Sequence, residues 1–204
     1  MKIVAFHGSP RIGGNTDILL DAFLKGAETG GASVEKITLM SKQITPCIEC
    51  GQCDTTGVCV LEDDMTPIYD KIREADTVVV ASPIFFYNIT SYTQALVERS
   101  QACWIGKYVL KTGPYGGKER KGIFLSLGAT KGKMLFDGVL RVMKYFFDAI
   151  SASFAGALLY RGIEKKGDVK KHPTALTEAE ELGSLVATGA DLDSFAPLYI
   201  PGSK

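Results

Sequence analysis

Long hydrophobic runs are absent from this chain. The longest, residues 78–87, is broken by Ser82 and Pro83 and falls well short of the ~20 apolar residues that a membrane helix needs. An excess of charge of either sign is also absent. The 23 Lys and Arg balance 23 Asp and Glu, which leaves no electrostatic footprint for a nucleic-acid or anionic-membrane partner. Nothing at the N-terminus resembles a secretory signal, because residues 2–6 already read as a strand, so the expected location is cytoplasmic. Internal repeats are lacking, and so is a convincing general acid or nucleophile. His7 reads as a polar loop residue rather than a base, since no partner is evident to orient it. At 204 residues the chain is expected to form a single domain over residues 1–204.

Cysteine, by contrast, is concentrated. Cys47, Cys50, Cys53 and Cys59 fall within 13 residues at the spacing C-x2-C-x2-C-x5-C, inside a loop expected at 46–63. Disulfides are not expected of a cytoplasmic chain, and four thiols this close point to a metal centre. Zinc sites usually pair two C-x2-C knuckles across a dozen or more residues. Three cysteines at two-residue gaps, with a fourth soon after, are closer to the loop that wraps a [4Fe–4S] cluster. Zinc and redox-active thiols remain the alternatives. The fifth cysteine, Cys103, stands alone on an apolar helix face and reads as a small buried hydrophobe.

Residues 2–6 (KIVAF) read as a buried strand, followed by H-G-S-P-R-I-G-G-N and an amphipathic helix over 16–29 with Asn15 or Thr16 as its N-cap. A strand, a Gly/Ser-rich loop and a helix N-terminus together make an anion site, because unpaired amides and the positive end of the dipole face the loop. A dinucleotide fingerprint would need G-x-G-x-x-G and an acid after the second strand. Here the glycines are Gly8, Gly13 and Gly14, and the second strand, residues 34–40, ends without an acid. The loop instead offers the side-chain donors Ser9, Arg11, Asn15 and Thr16. Those suit a terminal phosphomonoester and make FMN the natural ligand. A Gly-rich turn with no ligand is the bland alternative.

Residues 65–75 read as a helix and 77–82 (TVVVAS) as a central parallel strand. The segment that follows carries Pro83, Ile84, Phe85, Phe86, Tyr87 and Asn88. It offers backbone amides and aromatic faces to a flat heterocycle, unless its rings merely fill core or interface. A helix over 91–103 and a long connector over 104–121 lead to a strand at 122–127. A second small-residue loop follows at Gly128, Ala129 and Thr130. Then come a helix over 134–150, a strand over 153–160, a charged connector over 161–173, a helix over 178–192 and a Pro/Gly-bearing tail over 196–204. Five β–α alternations predict an α/β fold with a doubly wound parallel sheet in the order 2-1-3-4-5. Strands 1 and 3 flank the topological switch point of that order. The loops after strands 1, 3 and 4 then meet at one crevice, and the cysteine loop follows strand 2 at the same edge.

With these residues in view, the chain resembles the iron–sulfur flavoproteins of anaerobic prokaryotes, within the wider NADPH-dependent FMN reductase family of flavodoxin-like proteins. The resemblance covers roughly residues 1–165 and rests on G-S-P-R-x-G-G-N-T, the cysteine motif with Asp63-Asp64-Met65, S-P-I-F-F-Y-N, and G-A-T-K-G-K-M-L-F-D-G. From about residue 167 no motif contributes, and that stretch is expected to be an extended C-terminal segment. What the resemblance implies is FMN with its phosphate at Ser9, Arg11, Gly14, Asn15 and Thr16. Its ring is implied at Pro83, Ile84, Phe85, Phe86 and Asn88 and at Gly128, Ala129 and Thr130. It further implies a [4Fe–4S] cluster on the four clustered cysteines, a homodimer or homotetramer, and electron transfer with ferredoxin or a similar carrier. The rival expectation is an NAD(P)H-dependent FMN or quinone reductase whose cysteines hold zinc or no metal. Because the two sites draw on different loops, Cys53→Ala is expected to abolish cluster absorbance while FMN stays bound, as read in one visible spectrum. Loss of both together would show that the sites are not independent.

Overall fold

A computed structural model describes residues 1–199. Five strands carry the fold: β1 (Lys2–His7), β2 (Ser33–Thr38), β3 (Thr77–Pro83), β4 (Arg120–Gly128) and β5 (Ala152–Arg161). They pair in parallel in the order β2-β1-β3-β4-β5, the doubly wound order expected from the β–α alternation. Alternation along the strands sets the layers. Ile3, Ala5, Val79, Ala81, Ile123 and Leu125 are buried with Leu19 and Phe23 of α1 (Asn15–Thr29) and Leu182 and Val186 of α6 (Ala175–Thr188). Val4, Phe6, Val78, Val80 and Phe124 point the other way. There Ile68 of α2 (Met65–Glu74), Leu96 of α3 (Ser91–Arg99) and Phe146 of α5 (Asp137–Ala149) cover them. Both faces are covered, which is why the central strands read as unbroken apolar runs.

Element ends depart from the sequence expectation where local chemistry intervenes. The helix expected over 91–103 breaks at Ser100, whose hydroxyl donates back to the Val97 carbonyl at 2.6 Å, a competition that loosens helices. The chain continues as α4 (Gln101–Trp104) and a π-helical turn, Ile105–Val109, where a plain connector was expected. The closing helix stops at Thr188 rather than 192 because Gly189, at φ 73°, takes up the left-handed cap. The C-terminal segment, silent in sequence, packs closely. A Cβ on Gly26 of α1 would lie 1.8 Å from the Glu180 carbonyl oxygen, and one on Gly183 of α6 would lie 2.0 Å from that of Phe23. Tyr199 bridges back to Ala157 of β5 through two backbone hydrogen bonds of 2.8 and 2.9 Å. The remainder of the tail expected over 196–204, residues 200–204, lies outside the described residues. Among the described residues no helix is long and apolar enough to cross a membrane.

A buried polar cluster braces the first loop from below. His7 is the last residue of β1, not a loop residue, and is fully buried with neither ring nitrogen hydrogen-bonded. Its Nε2 lies 3.6 Å from Asp17 Oδ1. Asp17 accepts the Gly13 amide at 2.7 Å and the ammonium of Lys36, which also reaches Asp21. Burial pushes the His7 pKa down despite the attraction of Asp17, so folding disfavours the charged ring.

Two outcomes follow from these contacts. Gly183→Ala forces a methyl into the Phe23 carbonyl and is expected to cost about 1–3 kcal/mol. At ~2–4 °C per kcal/mol for a chain of this size, calorimetry would register a melting point lower by several degrees. For His7, the unfolded chain takes up a proton below the ordinary value of about 6.5 while the folded chain resists it. Stability therefore falls as pH drops through and below that value. His7→Gln removes this component, so the loss of melting temperature between about pH 7.5 and 5.5 should be smaller in the variant than in the parent protein. Equal losses would show that His7 does not titrate on unfolding.

Candidate functional site

At the carboxyl edge of the sheet, the loops after β1, β3 and β4 line one cavity of about 180 Å³. The β1–α1 loop contributes Ser9, Arg11, Gly14, Asn15 and Thr16, the β3 loop Pro83, Ile84 and Phe85, and the β4 loop Gly128 and Ala129. The loop after β1 is shaped for close approach. Gly13 sits at φ 65°, Gly14 N–H donates to the Arg11 carbonyl at 3.0 Å, and Arg11 N–H donates to Ser9 Oγ at 3.1 Å. The expected N-cap shifts by one residue. Gly14, extended and without a side chain, takes that place, and the first helical bond runs from Ile18 N–H to the Gly14 carbonyl. The amides of Asn15, Thr16 and Asp17 thus precede the helical ladder, as the first donors of any helix do.

Asn15 departs most from expectation. Its Nδ2 donates to the Lys165 carbonyl at 2.8 Å, and its Oδ1 accepts the amides of Gly167 at 2.9 Å and Val169 at 3.2 Å. The side chain latches the loop to the segment after β5 and does not cap α1, while its second Nδ2 hydrogen is left for the cavity that Asn15 lines. That segment also brings Ile163 and Glu164 to the cavity wall, held by the Ile163 amide on the Gly128 carbonyl at 3.1 Å. Both residues were missed in sequence. An asparagine beginning a helix was the only hint, and its partners lie 150 or more positions away.

The segment after β3 closes in a tight turn. Phe85 and Asn88 exchange backbone hydrogen bonds of 2.8 and 2.9 Å, with Phe86 at φ 49° and Tyr87 at φ 61° between them. Two aromatic residues in the left-handed region are costly, and such strain concentrates at functional sites. Phe86 is fully exposed, and Phe85 and Tyr87 are about half exposed. Phe86, Asn88 and Thr130, all expected at the ligand, are not among the residues lining the cavity. Asn88 is a turn residue whose Oδ1 accepts the Ile89 amide at 2.8 Å.

The cysteine loop has a firm neck. Gln43 N–H donates to the Asp64 carboxylate at 2.7 Å and Thr45 N–H to that of Asp63 at 2.9 Å. Arg99, at the end of α3 and with no side-chain exposure, donates to Asp63 at 2.6 Å, to the Thr45 carbonyl at 2.9 Å and to the Leu61 carbonyl at 3.1 Å. Burial works against the Asp63 carboxylate, yet the Arg99 guanidinium and the Thr45 and Met65 amides hold it below the usual carboxylate range. Inside the loop, Gly51 and Gly57 adopt φ of 70° and 69°. Cys47, Cys50, Cys53 and Cys59 line a single cavity of about 720 Å³. Cys47 and Cys50 are exposed and the other two partly buried. Among the described residues, no three His, Cys, Asp or Glu side chains are grouped closely enough to hold one metal ion. Burial, Asp54 and the neighbouring Cys59 and Cys47 raise the Cys53 thiol pKa. Cys103 is buried, its thiol is pushed up to about 12 chiefly by that burial, and it lines a small cavity together with Gly57, Val58 and Cys59 of the loop.

One helix joins the two regions. At the start of α3, Thr90 donates to the Gly8 carbonyl in the first loop at 2.5 Å and accepts the Thr93 amide. At its end stands Arg99. The nine residue steps from Thr90 to Arg99 give a separation of about 14 Å at 1.5 Å per residue.

Residues 1–131 match the model of the family described as NADPH-dependent FMN reductase. An iron–sulfur flavoprotein of Archaeoglobus fulgidus is 33% identical over 187 residues, covering 92% of this chain and 79% of the relative. An iron–sulfur flavoprotein of Methanocaldococcus jannaschii is 28% identical, covering 92% of this chain and 96% of the relative. Among solved structures, the NAD(P)H:quinone oxidoreductase of Methanothermobacter marburgensis shares the fold with a TM-score of 0.66 at 15% identity, over 91% of this chain and 96% of that one. The enzyme RosB with a bound formylriboflavin phosphate shares it with a TM-score of 0.68 at 15% identity, over 93% and 78% of the two chains. The chain therefore belongs to the NADPH-dependent FMN reductase family of flavin-dependent oxidoreductases, and its similarity within that family is to the iron–sulfur flavoproteins.

Proposed function

We propose that this protein is an electron-transfer flavoprotein in which a [4Fe–4S] cluster on Cys47, Cys50, Cys53 and Cys59 exchanges electrons with FMN, and that ferredoxin or a similar carrier is its partner. The carrying observation is the pair of cavities at one sheet edge, one ringed by four thiols and one by a helix N-terminus with free amides, at opposite ends of α3. A donor set of four cysteines with no histidine suits iron–sulfur ligation, since clusters are held by thiolates. The cluster would supply single-electron transfer and FMN would collect or split pairs.

The chain's own contribution is binding and orientation. The amides of the first turn of α1, with Ser9, Arg11, Asn15 and Thr16, would hold the phosphate. At about 180 Å³ the first cavity is smaller than the ~300–1,000 Å³ typical of whole-ligand pockets, so it would enclose only the phosphate-bearing end. Pro83, Ile84, Phe85, Gly128 and Ala129 would hold the start of the ring, with the strained turn at Phe86 and Asn88 fixing where the aromatic edge stands. A homodimer or homotetramer would cover the exposed Phe86 ring.

The test is purification without oxygen, with iron, sulfide and flavin measured per chain. Close to four irons and four sulfides are expected on a four-thiol cubane site, together with bound flavin. Flavin with under one iron per chain would sink the cluster assignment. Fast bleaching of the flavin by NAD(P)H alone would favour the rival, an FMN or quinone reductase whose cysteines hold zinc or nothing.

A further inference from the structure

Arg99 is the largest side chain in the protein with essentially no exposure, and arginine is seldom buried completely. A buried ion pair adds little to stability, because desolvation offsets the attraction, and apolar residues of similar volume often serve as well. A leucine or methionine at position 99 would cover the core. Two things it would not do. It would not bind the carbonyls of Thr45 and Leu61, which flank the cysteine set two residues before Cys47 and two after Cys59. Nor would it place a positive charge at the cavity, where the other charged lining groups are Glu49, Asp54 and Glu98 beside four thiols. Arg99 is the sole basic residue among those lining groups, its field reaches Cys59, and its Nε is buried without an acceptor.

We propose that Arg99 is the positioning residue of the cysteine cavity: its guanidinium fixes both ends of the loop, and its charge offsets the thiolates and raises the reduction potential of the cluster they hold. This inference rests on the cluster-binding function proposed above. Adding one electron to a thiolate-ligated cluster makes a negative body more negative, so a fixed cation beside it favours the reduced form. Charge and hydrogen bonding near the sulfurs are among the levers that set such potentials. Asp63 is the counterweight. It takes one arm of the guanidinium and so sets how much of the positive charge the cavity feels.

The experiment uses anaerobically purified full-length protein as wild type, Arg99→Lys, Arg99→Gln and Asp63→Asn. Iron, sulfide and flavin per chain, limited proteolysis within residues 46–60, and the cluster midpoint potential followed by electron paramagnetic resonance are measured on each. Arg99→Lys keeps the charge but not the fork, so it should lose cluster to a chelator and be cut in the loop several-fold faster, with its potential near wild type. Arg99→Gln should move the potential negative, and Asp63→Asn, which frees the cation from its counterion, should move it positive. A residue that merely fills space would not give shifts of opposite sign. Unchanged potentials in both Arg99→Gln and Asp63→Asn overturn the inference while leaving the proposed function standing. If Arg99→Gln does not fold, the absence of a positive shift in Asp63→Asn overturns it alone. Wild-type protein with under one iron per chain overturns both.

Discussion

The buried pair of Arg99 and Asp63 is the constraint on which the cysteine loop depends. A segment of this length with almost no regular structure has little hydrophobic surface of its own to hold it, and closing it costs conformational entropy. Its ends are brought together by polar contacts instead. Asp63 reaches across to Thr45, Asp64 to Gln43, and the Arg99 fork spans both strands of the neck. Neither partner is stable in that position without the other, because an unpaired charge in a dry neck is far more costly than the intact pair. The loop's interior is thereby free to follow the needs of its thiols, with glycines taking the left-handed turns at Gly51 and Gly57.

The same helix that ends at Arg99 begins against the anion loop, and the fit there leaves no slack. A Cβ on Gly8 would lie 1.9 Å from Thr93 Oγ1, and Thr90 bonds the Gly8 carbonyl directly. The two cavities are therefore fixed relative to one another by one rigid element rather than by two independent loops. Protein interiors transmit displacement because they are close-packed. The strained turn at Phe86 and Tyr87 stands outside this frame, on the exposed rim.

Much of the fold was legible because the physics that sets it is local. Runs such as TVVVAS and KIVAF have no polar face and must be covered on both sides, and the handedness of β–α–β crossovers leaves few strand orders. The four clustered cysteines were legible by spacing alone. What escaped was non-local or conditional. Arg99 carried no signal, since nothing in sequence says that its face meets the loop's neck. Asn15 has the chemistry of both a cap and a ligand donor, and the distant Lys165, Gly167 and Val169 take its side chain away from the cap. Phe86 and Asn88 were implied at the ligand by the resemblance, and the turn that sets them outside the lining of the small cavity depends on two left-handed residues that no periodicity reveals. The break at Ser100 depends on one hydroxyl choosing a carbonyl, a choice no periodicity reveals.

The Asn15 latch has a consequence for how the protein is made. Asn15 leaves the ribosome well before its partners, since the carbonyl and amides that complete the latch come 150 to 154 positions later. At roughly 5–20 residues per second, that gap lasts on the order of ten seconds. Throughout it the anion loop has its glycines and its turn but lacks its buttress. The latch on the ligand cradle is thus completed only after all five strands have been synthesised, and a chain cut short before Lys165 lacks it.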